Sequence, residues 1–239
     1  MNQLVSTEWL NNNLDNVKIL DASWHLPNSN RNPLEEYELN HITNAIFFDI
    51  DKNSNQQSNL PHMLPTKENW EIIVSNLGIN NSDHVVVYDN SEVFSSCRVW
   101  YTFMYFGHNP NLISVLNGNF KKWINEKRPI SKVKVKNGKS NYNACENISL
   151  VLNKKQINEN IINKKYQLID ARGEQRFLGL QSEPRKELMS GNIKGSINLP
   201  FQQLIRKDRT FKKRNELIEV FKTKEVLIEK EMAFTCGSG

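Results

Sequence analysis

Short apolar runs alternate with amphipathic segments along the first half of the chain. Residues 17–20, which include Val17, Ile19 and Leu20, and the run Val85–Tyr88 are short and rich in β-branched residues, and polar residues bound each one, which is typical of strands buried in a parallel sheet. Between them, residues 67–77 carry apolar side chains at helical spacing, and Gly78 follows where a helix cap belongs. The pattern therefore predicts strands and helices that alternate along the chain.

The same alternation continues to about residue 127. It predicts a helix over about 98–106, a strand over 112–116 and a helix that carries Phe120, Trp123 and Ile124. Strands that alternate with helices imply an α/β fold, in which helices cover both faces of a parallel sheet.

Three segments of this unit recur later in the chain, in the same order. The matched segments are 18–24 with 167–173, 41–48 with 192–199, and 85–89 with 232–236. Their offsets are 149, 151 and 147 residues. Three ordered matches at nearly one spacing predict that the chain contains two copies of one unit.

The two copies define the predicted domains. Residues 1–127 form the first domain, the polar and Lys-rich segment 128–147 is a linker, and residues 148–239 form the second domain. The second copy ends three residues after the position equivalent to Asp89, before any counterpart of the later helices and strand. We therefore expect the second domain to be truncated at its C-terminus.

Composition argues against several classes of protein, including membrane-spanning, disulfide-rich and nucleic-acid-binding ones. Hydrophobic residues make up 38% of the 239 residues and charged residues 24%, which predicts a soluble globular protein without a transmembrane run or a secretory signal. Cys97, Cys145 and Cys236 are too few and too scattered for a disulfide framework or a zinc site. The net charge of +5 is dispersed, which favours a solvated surface over a nucleic-acid or membrane site.

Cys236 is the strongest candidate for chemistry. It follows the apolar run 232–235 and precedes Gly237, so we expect its thiol at a strand end, where a tight Gly-rich turn begins. Backbone N–H groups in such a turn can point at an anion, and a following helix would favour the nucleophilic thiolate. The Cys-Gly-Ser-Gly run by itself equally allows a buried structural cysteine before an ordinary turn.

Longer motifs favour the first interpretation. Residues 170–201 contain Asp-Ala-Arg, Arg-Phe, Glu-Pro-Arg and Ser-Gly-Asn-Ile-Lys-Gly-Ser-Ile-Asn-Leu-Pro-Phe in this order, and they strongly resemble the catalytic half of rhodanese-family sulfurtransferases. The first half resembles the inactive domain of the same family through residues 41–51, 61–65, 98–100 and 115–118. The resemblance extends from about Val5 to Gly239 and implies two tandem rhodanese-like domains, each a parallel sheet covered by helices.

The resemblance also assigns the substrate-binding residues. Arg176 and Arg185 match the family arginines that hold the carboxylate and keto oxygen of the donor, a task that suits a planar guanidinium. A surface salt bridge is the alternative for each arginine. Gly237 and Gly239 match the substrate-binding loop, and the Gly-Ser-Gly run is typical of the 3-mercaptopyruvate branch, whereas the thiosulfate branch carries basic residues there.

Three further residues match a proton relay proposed for the family. They are Ser238, His62 and Asp51, and together with Cys236 they form the predicted catalytic set. Because His62 and Asp51 belong to the first domain, the resemblance implies a site at the domain interface. Asp89 takes the position of the nucleophile in the first domain, where a carboxylate is a poor acceptor of sulfur.

The implied reaction has two steps. The thiolate of Cys236 takes sulfur from 3-mercaptopyruvate and releases pyruvate, and an acceptor thiol, such as a thioredoxin-like protein, or cyanide then removes the sulfur. No metal or organic cofactor is expected, and neither a nucleic acid nor a membrane is an expected partner. The expected compartment is the cytoplasm, with the mitochondrial matrix as the alternative.

Three alternatives stay open at this point. A thiosulfate sulfurtransferase would use the same fold and nucleophile. A cysteine phosphatase would place His before the cysteine, where this chain has Thr235. A non-enzymatic binding or sulfur-carrier module would account for an incomplete loop after Cys236.

Overall fold

The computed structural model describes residues 3–136, 138–184 and 188–237. It divides into two compact units, Met1–Leu150 and Val151–Gly239. Each unit contains a parallel sheet, as the alternating pattern predicts.

The described part of the first unit contains a five-stranded parallel sheet and a short antiparallel ribbon. The strands of this unit are β1 (Leu4–Val5), β2 (Lys18–Asp21), β3 (His41–Ile42), β4 (Ala45–Phe47), β5 (Val85–Tyr88), β6 (Ile113–Leu116) and β7 (Ile130–Ser131). The sheet has the order β1-β6-β5-β2-β4, and β3 pairs with β7 in the ribbon.

Helices connect these strands. They are α1 (Thr7–Asn11), α2 (Pro33–Leu39), α3 (Lys67–Asn76), α4 (Ser96–Tyr105) and α5 (Asn119–Asn125), with 3₁₀ helices at Pro27–Ser29 and Ile148–Leu150. Within the described residues, no helix combines the length and the apolar character that a membrane span requires.

Both faces of the first sheet are covered. Val85 and Val87 of β5 pack into one buried cluster with Trp70 of α3, whereas Val86 packs into a second cluster with Trp123 of α5. Successive residues of a strand point to opposite faces of the sheet, so two separate clusters require helices on both faces. The predicted double layer of helices is confirmed.

Local interactions define both ends of α3, and the cap at Gly78 is the one that the sequence predicts. The hydroxyl of Thr66 accepts a hydrogen bond from the backbone N–H of Asn69 at 3.3 Å and so caps the first turn. Gly78 follows the last turn with a φ of +69°, a left-handed conformation that glycine adopts without strain.

The predicted linker contributes to the first unit. Tyr142 and Ala144 are buried in the same cluster as Trp70, and β7 pairs with β3. The boundary between the two compact units follows Leu150 instead of residue 127. Two isolated apolar residues in a polar stretch carry no periodic signal, so the sequence pattern did not indicate this packing.

Within its described residues, the second unit contains three parallel strands. Its elements are α6 (Lys154–Asn163), β8 (Gln167–Asp170), α7 (Glu174–Phe177), β9 (Ile197–Asn198), a 3₁₀ helix at Phe201–Leu204, α8 (Arg214–Thr223) and β10 (Met232–Thr235). The order β10-β8-β9 corresponds to β5-β2-β4 of the first unit, with β10 in the place of β5.

Backbone hydrogen bonds at the carboxyl ends of these strands correspond in the two units. The amide of Ala22 donates to the carbonyl of Tyr88 at 2.8 Å, and the amide of Ala171 donates to the carbonyl of Thr235 at 2.9 Å. This correspondence places Cys236, the residue after β10, beside the segment that follows β8.

Candidate functional site

Cys236 lies at the carboxyl end of β10. Thr235 pairs in parallel register with Asp170, the last residue of β8, so the chain segments after both strands leave the sheet at the same edge. Cys236 is exposed and forms no disulfide. An exposed thiol at a strand end agrees with the expectation for Cys236, whose catalytic role remains a prediction.

The other two cysteines have different surroundings. Cys97 lies in the first turn of α4, and burial raises the pKa of its thiol to about 12, with the nearby charge of Asp89 acting in the same direction. Cys97 is therefore held as a neutral thiol, which suits a packing role and not a nucleophilic one. Cys145 is exposed in the segment after β7.

Asp170 and Arg172 form a buried ion pair behind the strand end. The guanidinium of Arg172 donates from Nε and Nη2 to the carboxylate of Asp170, with Nη2 at 2.6 Å from Oδ2. Hydrogen bonding to Asp170 is the main reason that the pKa of Arg172 is raised. Arg172 is thus held by Asp170 at the end of β8, where it has a structural role.

Glu183 connects Arg172 with Arg176. Its Oε1 accepts from Nη1 of Arg172 at 2.7 Å and from Nε of Arg176 at 3.2 Å, and its Oε2 accepts from Nη2 of Arg176. The side chain of Glu183 is only 1% exposed. Burial by itself would raise the pKa of Glu183, but hydrogen bonds and charge from the two arginines outweigh burial and lower it.

Arg176 lies against the residue that follows Cys236. A Cβ atom built on Gly237 would be 2.9 Å from Nη2 of Arg176 and 3.7 Å from Nη1. Only a glycine therefore leaves the guanidinium of Arg176 in its present position. The short helix α7, directly after β8, places this cation beside the nucleophile candidate.

Asp51 and His62 contact each other, as the resemblance implied. Nε2 of His62 lies 2.8 Å from Oδ1 of Asp51, and the indole N–H of Trp24 donates to Oδ2 of Asp51 at 3.0 Å. The ring of Trp24 also meets the His62 ring edge to face, at 4.9 Å between centroids. Arg98 donates to the carbonyl of His62, so both the ring and the backbone of His62 are held.

Three predicted site residues lie outside the described part of the chain. They are Arg185, Ser238 and Gly239. The described members of the predicted set are Cys236, Gly237, Arg176, His62 and Asp51.

The loop after β5 in the first unit corresponds to the nucleophile loop after β10, but its first residue, Asp89, is bound within the loop itself. Asp89 follows β5 as Cys236 follows β10, and its carboxylate is buried. Oδ1 of Asp89 accepts from the N–H of Ser91 at 2.7 Å, and Oδ2 accepts from the N–H of Ser96 at 3.0 Å. The loop after β5 therefore binds an anion through backbone N–H groups, and that anion is its own carboxylate.

An arginine also lies over the first-unit loop. Arg31 forms a two-pronged ion pair with Glu36, with both nitrogen–oxygen distances at 2.6 Å. Nη2 of Arg31 also donates to the carbonyl of Asn90 at 3.1 Å. Asn90 follows Asp89 as Gly237 follows Cys236, so in each unit an arginine bound to a glutamate lies beside the second residue of the loop.

The sequence pattern predicts no role for Glu183. The Glu-Pro-Arg motif supports the family resemblance, but the resemblance implies a function only for its Arg185. An acidic residue within a segment that contains Arg172, Arg176 and Arg185 was the available signal, because a carboxylate among several guanidiniums commonly orders them.

Comparisons with known proteins agree with this geometry. Residues 6–126 match the family model described as Rhodanese-like domain. The chain is 37% identical to the 3-mercaptopyruvate sulfurtransferase of Mus musculus, over 99% of this chain and 82% of that protein. It is 38% identical to the thiosulfate sulfurtransferase of the same organism, with the same two coverages.

Solved structures show the same fold. The crystal structure of SseA from Escherichia coli, a 3-mercaptopyruvate sulfotransferase with the rhodanese fold, matches with a TM-score of 0.90 at 31% identity, covering 100% of this chain and 90% of that chain. Tum1 protein from Saccharomyces cerevisiae matches with a TM-score of 0.86 at 28% identity, covering 99% and 86%. With relatives above 30% identity along nearly its whole length, the chain belongs to the rhodanese family of sulfurtransferases.

Proposed function

We propose that the chain transfers sulfur from 3-mercaptopyruvate through a persulfide on Cys236 to a thiol acceptor or to cyanide, with release of pyruvate. The observation that carries this proposal is the pairing of an exposed thiol with a fixed cation. Cys236 is exposed at the end of β10, and the guanidinium of Arg176 lies against the next residue, Gly237. An anionic donor bound to Arg176 would bring its sulfur close to the thiolate.

The proposed first step balances as a sulfur transfer. The thiolate of Cys236 attacks the donor sulfur, a sulfur–sulfur bond forms, and the carbon–sulfur bond of the donor breaks. The electron pair of that bond goes to the enolate of pyruvate, which takes up a proton. In the second step an acceptor thiolate, or cyanide, attacks the outer sulfur of the persulfide, and Cys236 leaves as a thiolate.

Arg176 and Arg185 would bind the carboxylate and keto oxygen of the donor. A guanidinium presents parallel N–H donors that match a carboxylate, so this role suits Arg176 where it lies. Thiosulfate also presents anionic oxygens, and relatives of this chain are named for both donors. Thiosulfate is therefore the second candidate donor.

The loop after Cys236 would stabilise the negative sulfur. We take the first unit as the guide, because backbone N–H groups there hold the carboxylate of Asp89. Gly237, Ser238 and Gly239 would supply equivalent donors around the sulfur.

Asp51, His62 and Ser238 would move the proton that the enolate of pyruvate needs. The contact between Asp51 and His62 supports this part of the proposal, since a carboxylate on one ring nitrogen fixes the orientation of a histidine. The 2.8 Å separation suits such a hydrogen bond.

A cytoplasmic site of action with a thioredoxin-like acceptor completes the proposal, and the mitochondrial matrix is the alternative. Sulfur chemistry on an exposed thiol such as Cys236 requires a compartment that keeps thiols reduced. Subcellular fractionation would locate the protein. Turnover with a thioredoxin system, compared with cyanide, would test the acceptor.

Mass spectrometry and kinetics together test the main proposal. Incubation with 3-mercaptopyruvate should add one sulfur atom to the peptide that contains Cys236 and release pyruvate, and Cys236→Ser should abolish both. Cys145→Ser is the matched control, since Cys145 is also exposed but lies outside the proposed site. Sulfur loading in Cys236→Ser would refute the proposal, and a clear preference for thiosulfate would replace the proposed donor.

A further inference from the structure

We propose that Glu183 is a positioning residue, which fixes the guanidinium of Arg176 over Gly237 and thereby sets where the donor anion binds. The inference rests on the proposed role of Arg176 in binding the donor. It adds a residue that does not touch the substrate but determines how accurately the substrate-binding cation is placed.

The burial of Glu183 is the first observation. Its side chain is 1% exposed, and both of its carboxylate oxygens accept hydrogen bonds from Arg176. A buried carboxylate is stable only when its charge is paired, so Glu183 and Arg176 hold each other in one geometry. Arg176 itself keeps 21% of its side chain exposed, which leaves it accessible to a ligand.

The support behind Glu183 is the second observation. Arg172 donates to Oε1 of Glu183, and Arg172 is itself anchored to Asp170 and to the carbonyl of Gly191 at 2.7 Å. A continuous series of ion pairs therefore runs from the end of β8 to Arg176. The anchor of the series is a strand terminus, so the position of Arg176 is tied to the sheet that also carries Cys236.

The charges of this cluster allow a test, because two possible roles of Glu183 predict opposite changes in donor binding when Glu183 is neutralised. Asp170 and Glu183 supply two negative charges, and Arg172 and Arg176 supply two positive charges. If Glu183 acted only through its charge, its neutralisation would leave an excess positive charge and tighten the binding of an anionic donor. If Glu183 acts by positioning Arg176, its neutralisation will weaken donor binding.

The first unit provides a matched comparison. Glu36 holds Arg31 over the residue after Asp89, as Glu183 holds Arg176 over the residue after Cys236. The first-unit pair has no place in the proposed reaction. Glu36→Gln therefore removes a similar ion pair without touching the proposed site.

The experiment compares Glu183→Gln, Arg176→Ala, the double variant and Glu36→Gln in the full chain. We expect Glu183→Gln to raise KM for 3-mercaptopyruvate and to lower kcat/KM by about 10- to 100-fold, the size of effect that a displaced binding group produces. The double variant should match Arg176→Ala, because Glu183 acts through Arg176. Glu36→Gln should leave both constants unchanged.

The possible failures are distinguishable. A KM for Glu183→Gln that is unchanged or lower than that of the wild type, with a loss of activity in Arg176→Ala, would overturn the positioning role and leave the proposed function intact. Wild-type activity in Arg176→Ala would instead overturn the role of Arg176. Where Glu183→Gln does not fold, Glu183→Asp keeps the charge but shortens the reach, and a wild-type KM in that variant would count against the inference.

Discussion

Asp21 and Asp170 end the corresponding strands β2 and β8, and different groups hold their two buried carboxylates. Ser23 donates to Asp21 from its backbone N–H at 3.0 Å and from its hydroxyl, whereas Arg172 donates to Asp170 from its guanidinium. Burial raises the pKa of Asp21 to about 6, although the hydrogen bonds from Ser23 act in the opposite direction. The buried carboxylate at the end of this strand is therefore stabilised by a serine in the first unit and by an arginine in the second.

Asp21→Asn should change how stability depends on pH. The pKa of Asp21 is raised from 3.8 to about 6 on folding, so its contribution to stability is present below about pH 3.8 and is lost as pH rises through 6. The loss amounts to about 3 kcal/mol at 1.36 kcal/mol per pH unit. Denaturant unfolding from pH 4 to pH 7 should show the wild type losing most of that amount relative to the variant. Parallel curves for the two proteins would contradict the assignment.

Asp170→Asn is the matched control for this experiment. It leaves the guanidinium of Arg172, whose side chain is 11% exposed, without its principal carboxylate partner. Removing one member of a buried pair typically costs about 3 to 5 kcal/mol. At pH 7 we therefore expect Asp170→Asn to destabilise the chain strongly, whereas Asp21→Asn is neutral or stabilising.

Asp89→Asn should destabilise the first unit without disabling the chemistry. The amide of asparagine presents one acceptor and one donor, so either the N–H of Ser91 or that of Ser96 would face another donor. A buried donor left without an acceptor costs about 1 to 3 kcal/mol. Thermal or denaturant unfolding would measure this loss, and kcat/KM at a temperature where the variant is folded should equal that of the wild type. An unchanged stability would show that the backbone N–H groups do not depend on the carboxylate.

Gly237→Ala should weaken donor binding through Arg176. The new Cβ would lie 2.9 Å from Nη2 of Arg176, a distance that requires the guanidinium to move. We expect KM for 3-mercaptopyruvate to rise about tenfold or more, because small displacements of binding groups are costly in activity. Alkylation of Cys236 by iodoacetamide should continue, since the thiol itself is not covered.

Gly173→Ala is the control for that variant. A Cβ on Gly173 would meet no atom within 4 Å, although Gly173 also lies in the second unit and directly precedes α7. Kinetic constants for Gly173→Ala should match those of the wild type. Equal kinetics for Gly237→Ala and Gly173→Ala would show that the position of Arg176 is not critical.

Features of this chain that depend on neighbouring residues can be predicted from the sequence, whereas features that depend on contacts between distant segments cannot. Strand β5 was predicted residue for residue and α3 to within one residue, because periodicity and the Gly78 cap are local signals. The sequence predicts a linker around Tyr142, since a single aromatic residue in a polar segment gives no period. The role of Glu183 depends on contacts across an irregular loop, and no spacing rule relates Glu183 to Arg176.

The contact between Asp51 and His62 was expected only from the family resemblance, and it leads to a last prediction. If His62 moves the proton that pyruvate needs, His62→Gln should lower kcat for 3-mercaptopyruvate by about 100-fold or more, the usual range for a general acid or base. Asp51→Asn should have a smaller effect in the same direction, because Asp51 acts by orienting His62 at 2.8 Å. The loss should appear in kcat more than in KM.

His25→Gln is the matched control for the histidine variant. His25 also contacts a carboxylate of the first unit, with Nε2 at 3.2 Å from Oε2 of Glu36, but it has no place in the proposed relay. Its kcat should therefore equal that of the wild type. Sulfur transfer from thiosulfate to cyanide forms no pyruvate and therefore does not need this proton. His62→Gln should retain most of any turnover with thiosulfate as the donor and cyanide as the acceptor. An equal loss with both donors would indicate that His62 supports the fold of the site instead of transferring a proton.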